Sequence, residues 1–458
     1  MRENAWKKYN DENLKELNTF CEGYKDFITK CKTERESVQE TIRIAKQYGY
    51  RDLNDYITSQ TPLKPGDKVY ANNYGKAIAL FVIGKEPMEA GMKILGAHID
   101  SPRIDLKQNP AYEDTELAFL DTHYYGGIKK YQWVATPLAM HGVVCKKDGS
   151  VIDVVIGEDE NDPVVAISDL LVHLSADQMS KPASKVIEGE ALNVLVGSQP
   201  LAGEEKEAVK ANVLRILKDT YDFEEEDFLS AEIELVPAGK ARDLGIDRSM
   251  IMGYGHDDRI CAYTSLMATL SIEMPDRTVC CLLVDKEEVG SNGATGMQSK
   301  FFENTVAEII NLTTVYDDLK LRRSLANSVM LSSDVSAAYD PNYANVFEKK
   351  NSAYFGRGIV FNKYTGARGK SGCNDANPEY IAKLRAIMDK HHVAFQTAEL
   401  GAVDAGGGGT IAFILANLNM QVIDCGVPVL NMHAPYEIAC KADIYETVKG
   451  YKAFLIEA

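Results

Sequence analysis

The string VCCLLVDKEEVGSNGATG, running from Val279 to Gly296, constrains the fold more than any other part of the chain. Val279 to Val284 is apolar without interruption, so it has no face suited to water and fits a strand covered on both sides. Strands of that kind belong to sheets with helices packed on each face. A glycine-rich turn follows, and just before it stand two adjacent carboxylates, Glu287 and Glu288. In open α/β sheets functional residues gather beyond the carboxyl ends of strands. One carboxylate there can bind a metal ion while its neighbour moves a proton. That division of labour requires further ligands elsewhere in the chain.

Suitable residues recur at comparable places. His98 and Asp100 stand in GAHIDSPR, Asp257 in GYGHDDRICAYT, Asp334 in MLSSDVS and His433 in LNMHAP. Most follow a short apolar run, whereas Asp257 opens a stretch with apolar residues at Ile260, Tyr263, Met267 and Leu270, one face of a helix. Each string alone is weak: an isolated Asp at a helix start is an ordinary cap, and paired glutamates usually form a solvated face. Their order, His, Asp, Glu-Glu, Asp, His, points to a two-metal hydrolase site. His98, Asp257 and Asp334 could hold one ion, and Asp257, Glu288 and His433 the other, with Asp257 shared. Asp100 could fix the tautomer of His98, leaving Glu287 as general base. The donors suit two Zn2+, with Mn2+ or Co2+ able to substitute.

The ligand-bearing parts are not contiguous. Residues 1–102 and 246–458 read as a catalytic α/β domain in two parts, with a mixed, mostly parallel sheet flanked by helices. Residues 103–245 carry none of these ligands and read as an inserted β-rich domain for dimerisation or as a lid. Within it, Asp148-Gly149 supplies a tight turn between two strand-like runs.

Composition narrows the partners. The 458 residues carry a net charge of −17, with 67 acidic against 50 basic side chains. That balance argues against nucleic acid or an anionic membrane as a partner. The longest apolar run, Ala77 to Ile83, is far short of the roughly 20 residues that span a bilayer. Nine cysteines without CxxC spacing fit a reducing, cytoplasmic setting.

The strings AHIDSPR, HDDR, EEVGS, SSDVSAAYDPNY, GGGGTI and NMHAPYE, spread over nearly the whole chain, resemble the aspartyl aminopeptidase and vacuolar aminopeptidase I family of metallopeptidases. The resemblance implies removal of N-terminal residues from peptides with a free N-terminus. It also implies a two-domain subunit assembled into a homododecamer. It assigns the metals to His98, Asp257, Glu288, Asp334 and His433, and the base to Glu287. It further implies that His173, in DLLVHLS, stabilises the transition state across a subunit boundary. The turn Gly406 to Gly409 would let backbone approach the substrate; it lacks the Lys of a phosphate-binding loop. The chain departs from the animal enzymes around IVFNKYTGARGKSG, where Lys363 and Arg368 replace a Lys-then-Asn-Gln-Arg-Tyr pattern, so acidic preference does not carry over. Two other readings stay open: a carboxypeptidase or amidohydrolase, for which Arg259 or Arg368 could bind a carboxylate, and a non-catalytic shell-forming scaffold.

Overall fold

The computed structural model describes residues 3–458. The chain forms two compact units. One comprises the residues up to Asp100, Ala241–Met432 and Glu437–Ala458; the other comprises Ser101–Lys240 and His433–Tyr436.

The first unit opens with two helices, Asp11–Lys30 and Glu34–Gln47. They break between Lys30 and Glu34 because Thr33 and Glu36 form a reciprocal capping box that starts the second helix. A nine-stranded sheet follows. Its central strands, in spatial order, are Val279–Val284, Lys93–His98, Val329–Ser333 and Gln421–Gly426, all parallel. Antiparallel pairings begin at Ala77–Val82 on one side and Ile359–Asn362 on the other, so the sheet is mixed.

Side-chain alternation explains the uninterrupted apolar run. Val279, Cys281 and Leu283 join one core cluster, while Cys280, Leu282 and Val284 join another. The first cluster takes in the helices His256–Leu270 and Lys441–Glu457. The second takes in Phe301–Thr313 and Asp318–Ala326. A strand between two helical layers needs apolar residues at every position. A smaller five-stranded sheet includes Met250–Gly253, Glu437–Cys440 and Pro428–Leu430.

The second unit contains an antiparallel six-stranded sheet. Leu138–Cys145 and Val151–Ile156 pair as a hairpin. Its turn is closed by Lys146 N to Ser150 O at 2.8 Å, with Gly149 at φ +89° and Asp148 accepting from Ser150 N. Only glycine adopts that φ without steric cost. Among the described residues no helix is long and apolar enough to cross a membrane.

Candidate active site

Parallel neighbours deliver their carboxyl ends to one edge of the sheet. His98 ends its strand and lies in register with Val284, three residues before Glu287. Asp334 directly follows Val329–Ser333, on the other side of the His98 strand. Asp257 comes from the start of the helix packed over the same strands; its backbone is extended and its peptide bond to Asp258 is cis.

These placements surround one imidazole nitrogen with carboxylates. His98 Nε2 lies 3.1 Å from Asp257 Oδ1 and 4.0 Å from both Glu287 Oε2 and Asp334 Oδ1. One atom each of His98, Asp257 and Asp334 lie within 4.8 Å of one another, as do atoms of His98, Glu287 and Glu288. Burial holds the Asp334 carboxyl well above its usual range, and the charges of Asp258, Asp257 and Glu287 add to that, opposed by His98. Carboxylates crowded so closely repel one another unless a cation sits among them. One imidazole nitrogen with several carboxylate oxygens is a donor set that fits zinc.

Backbone anchors fix the cluster. Asp100, wholly buried, accepts Glu287 N at Oδ1 (3.1 Å) and Glu288 N at Oδ2 (3.2 Å). The same Oδ1 is 3.3 Å from His98 Nδ1, which also lies 3.0 Å from the Asp100 carbonyl oxygen. Asp100 therefore ties the His98 ring to the paired-glutamate turn. Asp285, ahead of that turn, accepts from Thr295 and from Lys286 N, and its Oδ2 is 3.7 Å from Lys76 Nζ. Glu437 receives Asp257 N at 2.9 Å.

His98, Asp100, Asp257, Glu287, Glu288 and Asp334 thus all belong to the first compact unit. His433 falls in the short segment grouped with the second, its Nδ1 2.9 Å from Gly127 O. His173 lies on an exposed short helical turn of the second unit, flanked by exposed Val172 and Leu174. His256, although adjacent to Asp257, is tied to Tyr24 OH through Nδ1 at 2.6 Å and to Ile251 O through Nε2 at 3.2 Å. Burial depresses its pKa to about 4, so it is a neutral structural residue. Lys363 and Lys370 share the carboxylate of Asp375, which offsets their charge.

Sequence reasoning did not single out Glu437, Asp258 or Asp424. Asp258 and Glu437 lie inside the strings HDDR and NMHAPYE, so proximity to candidate ligands was a usable signal. Asp424, in the apolar strand Gln421–Gly426, offered another: a carboxylate in a buried run requires a partner.

Comparisons with known proteins identify the family. The model of the family described as "Aminopeptidase I zinc metalloprotease (M18)" matches residues 27–455. A probable M18 family aminopeptidase 1 from Clostridium acetobutylicum is 67% identical over 453 residues, covering 99% of this chain and 97% of the relative. The crystal structure of an M18 aminopeptidase from Thermotoga maritima superposes with a TM-score of 0.95 at 43% identity, covering 100% of both chains. The structure of a yeast mApe1 dodecamer gives a TM-score of 0.77 at 20% identity, over 96% of this chain and 97% of that one, a likeness of fold alone.

Proposed function

The chain belongs to the M18 family of zinc metallopeptidases and is an aminopeptidase, and on that premise we propose how its residues divide the work. His98, Asp257 and Asp334 would hold one zinc ion; Asp257, Glu288 and His433 would hold a second, with Asp257 shared. The observation that carries this reading is the ring of carboxylates facing His98 Nε2. The contact of His433 Nδ1 with Gly127 O supports this reading, since it would leave Nε2 to face the ion. Manganese or cobalt could substitute, since such donors discriminate mainly by geometry. When bound, zinc supplies Lewis acidity, making water acidic near neutral pH and polarising a carbonyl.

The chain's own residues do the rest. Glu287, its backbone pinned by Asp100, takes a proton from the attacking water and delivers it to the leaving amine. Asp100 keeps the His98 ring oriented. His173 would act on the transition state from a neighbouring copy. Support for that contact is the exposed apolar surface around it, with Val172 77%, Leu174 69% and Met179 73% exposed. Apolar side chains grouped this way mark an interaction surface, and the second unit would serve dimerisation within a homododecamer. The substrates are peptides with a free N-terminus. All nine cysteines are free, in keeping with the cytoplasm.

The test is Glu287→Gln. Two zinc ions per chain should remain bound while turnover of aminoacyl anilides is lost. Retained turnover would remove Glu287 from the base role, and a single bound ion in the wild-type protein would remove the two-ion arrangement.

A further inference from the structure

Asp100 anchors the backbone of Glu287 and Glu288, and the fold builds a second anchor at the ends of the loop that carries them. Ala77–Val82 pairs antiparallel with Val279–Val284, Ile78 opposite Leu283. The start of the first strand therefore lies beside the end of the second. Lys76, just before the first, meets Asp285, just after the second. Lys76 Nζ is 3.0 Å from Glu34 Oε1 and 3.7 Å from Asp285 Oδ2. Glu34 and Asp285 are wholly buried, and Lys76 is nearly so. A carboxylate, an ammonium and a carboxylate thus run from the first residue of the helix Glu34–Gln47 to the foot of the catalytic loop.

Asp285 directs its other contacts to that loop. Its carboxylate accepts Lys286 N at 2.7 Å and Thr295 Oγ1 at 2.5 Å, and its own N–H donates to Thr295 O at 3.3 Å. Residues 285 and 295, the two ends of the loop, are tied together through this one side chain and its backbone. The backbone between them needs such a tie. Lys286, immediately before Glu287, has φ +67°, and Ser291 has φ +61°, conformations that favour glycine. The hairpin that ends at Lys76 adds another bond, Asn73 Nδ2 donating to Ala294 O at 2.8 Å. An ion pair that only joined the helix Glu34–Gln47 to the sheet would require none of these contacts with the loop.

We propose that Lys76 and Asp285 are positioning residues for the general base. Lys76 fixes the Asp285 carboxylate, and Asp285 closes the loop so that Glu287 stays where it can take the proton from water. This rests on the reading of Glu287 as the base and adds what holds it in place.

The experiment compares wild type, Lys76→Met and Thr295→Val, all zinc-loaded, on an aminoacyl anilide, with zinc content and melting temperature measured alongside. Lys76→Met takes the cation from between two buried carboxylates, which then repel one another. Thr295→Val removes only a hydroxyl from Asp285 and nearly keeps the side chain's shape. Because a misplacement of about an ångström can cost about 100-fold, kcat should fall about tenfold or more in Lys76→Met and about threefold or more in Thr295→Val, with KM within about twofold of wild type. Zinc content should be unchanged. A wild-type kcat in either variant would overturn the proposal, even with a lowered melting temperature, since the contacts would then serve stability alone. A loss confined to KM, or one that follows lost zinc, would overturn it too. If Lys76→Met does not fold, Thr295→Val decides by the same criteria. Glu287→Gln, assayed in parallel, separates the two readings: retained turnover there would remove the base assignment, whereas lost turnover there with wild-type kcat in the other variants would remove the positioning role alone.

Discussion

Replacing Asp100 with Asn tests how the catalytic turn is held. Three N–H groups converge on this buried carboxylate: Glu287 N and His98 Nδ1 at Oδ1, Glu288 N at Oδ2. An asparagine of the same shape presents one oxygen and one NH2. If its oxygen serves Glu287 and His98, its NH2 opposes the Glu288 N–H, donor against donor. The reverse orientation opposes the other two. At least one buried donor loses its acceptor, costing about 1–3 kcal/mol. The surviving bonds lose their ionic character, roughly halving their strength. Since each 1.36 kcal/mol is about tenfold in rate, kcat/KM should fall by roughly 10- to 100-fold, the range typical of residues that orient metal ligands. Steady-state kinetics on an aminoacyl anilide, with zinc content and melting temperature measured on the same preparation, reads the effect. Wild-type kcat/KM at full zinc occupancy would refute the idea that Asp100 sets the geometry of His98 and the paired glutamates.

Gly426→Ala places a Cβ 1.9 Å from Asp334 O; backbone must move, so thermal melting should show a loss of at least about 1–3 kcal/mol, with zinc binding weakened through Asp334. Equal stability and zinc content would contradict the close approach. Asp443 is buried and accepts Gly356 N and Gly358 N, and burial raises its pKa to about 7. The folded protein therefore keeps a proton that the unfolded chain releases near pH 4, so this group's contribution to stability is lost as pH rises from about 4 to about 7, by up to about 4 kcal/mol. Asp443→Asn should remove that part of the slope in urea unfolding measured across this range; an unchanged slope would show that Asp443 does not titrate there.

What the sequence by itself determined was local. The period of Val279 to Val284 requires cover on both faces, and two core clusters provide it. The Asp148-Gly149 turn follows from the conformational freedom of glycine. The ligand-type residues were legible because their chemistry is rare at the ends of apolar runs. Tertiary structure alone decided which of them meet. The strand before His98 lies between two strands some 180 and 230 residues later in the chain, a pairing that no local periodicity encodes. The same is true of Asp100: sequence spacing suggested a contact with His98, but its hold on Glu287 N and Glu288 N exists only because Lys93–His98 and Val279–Val284 are in register. GGGGT read as a turn that lets backbone approach the substrate; only the folded chain separates the glycines required by Leu400 and Ala367 from those that are not. Donor chemistry and strand period are properties of neighbouring residues, whereas register and close approach arise when distant segments pack.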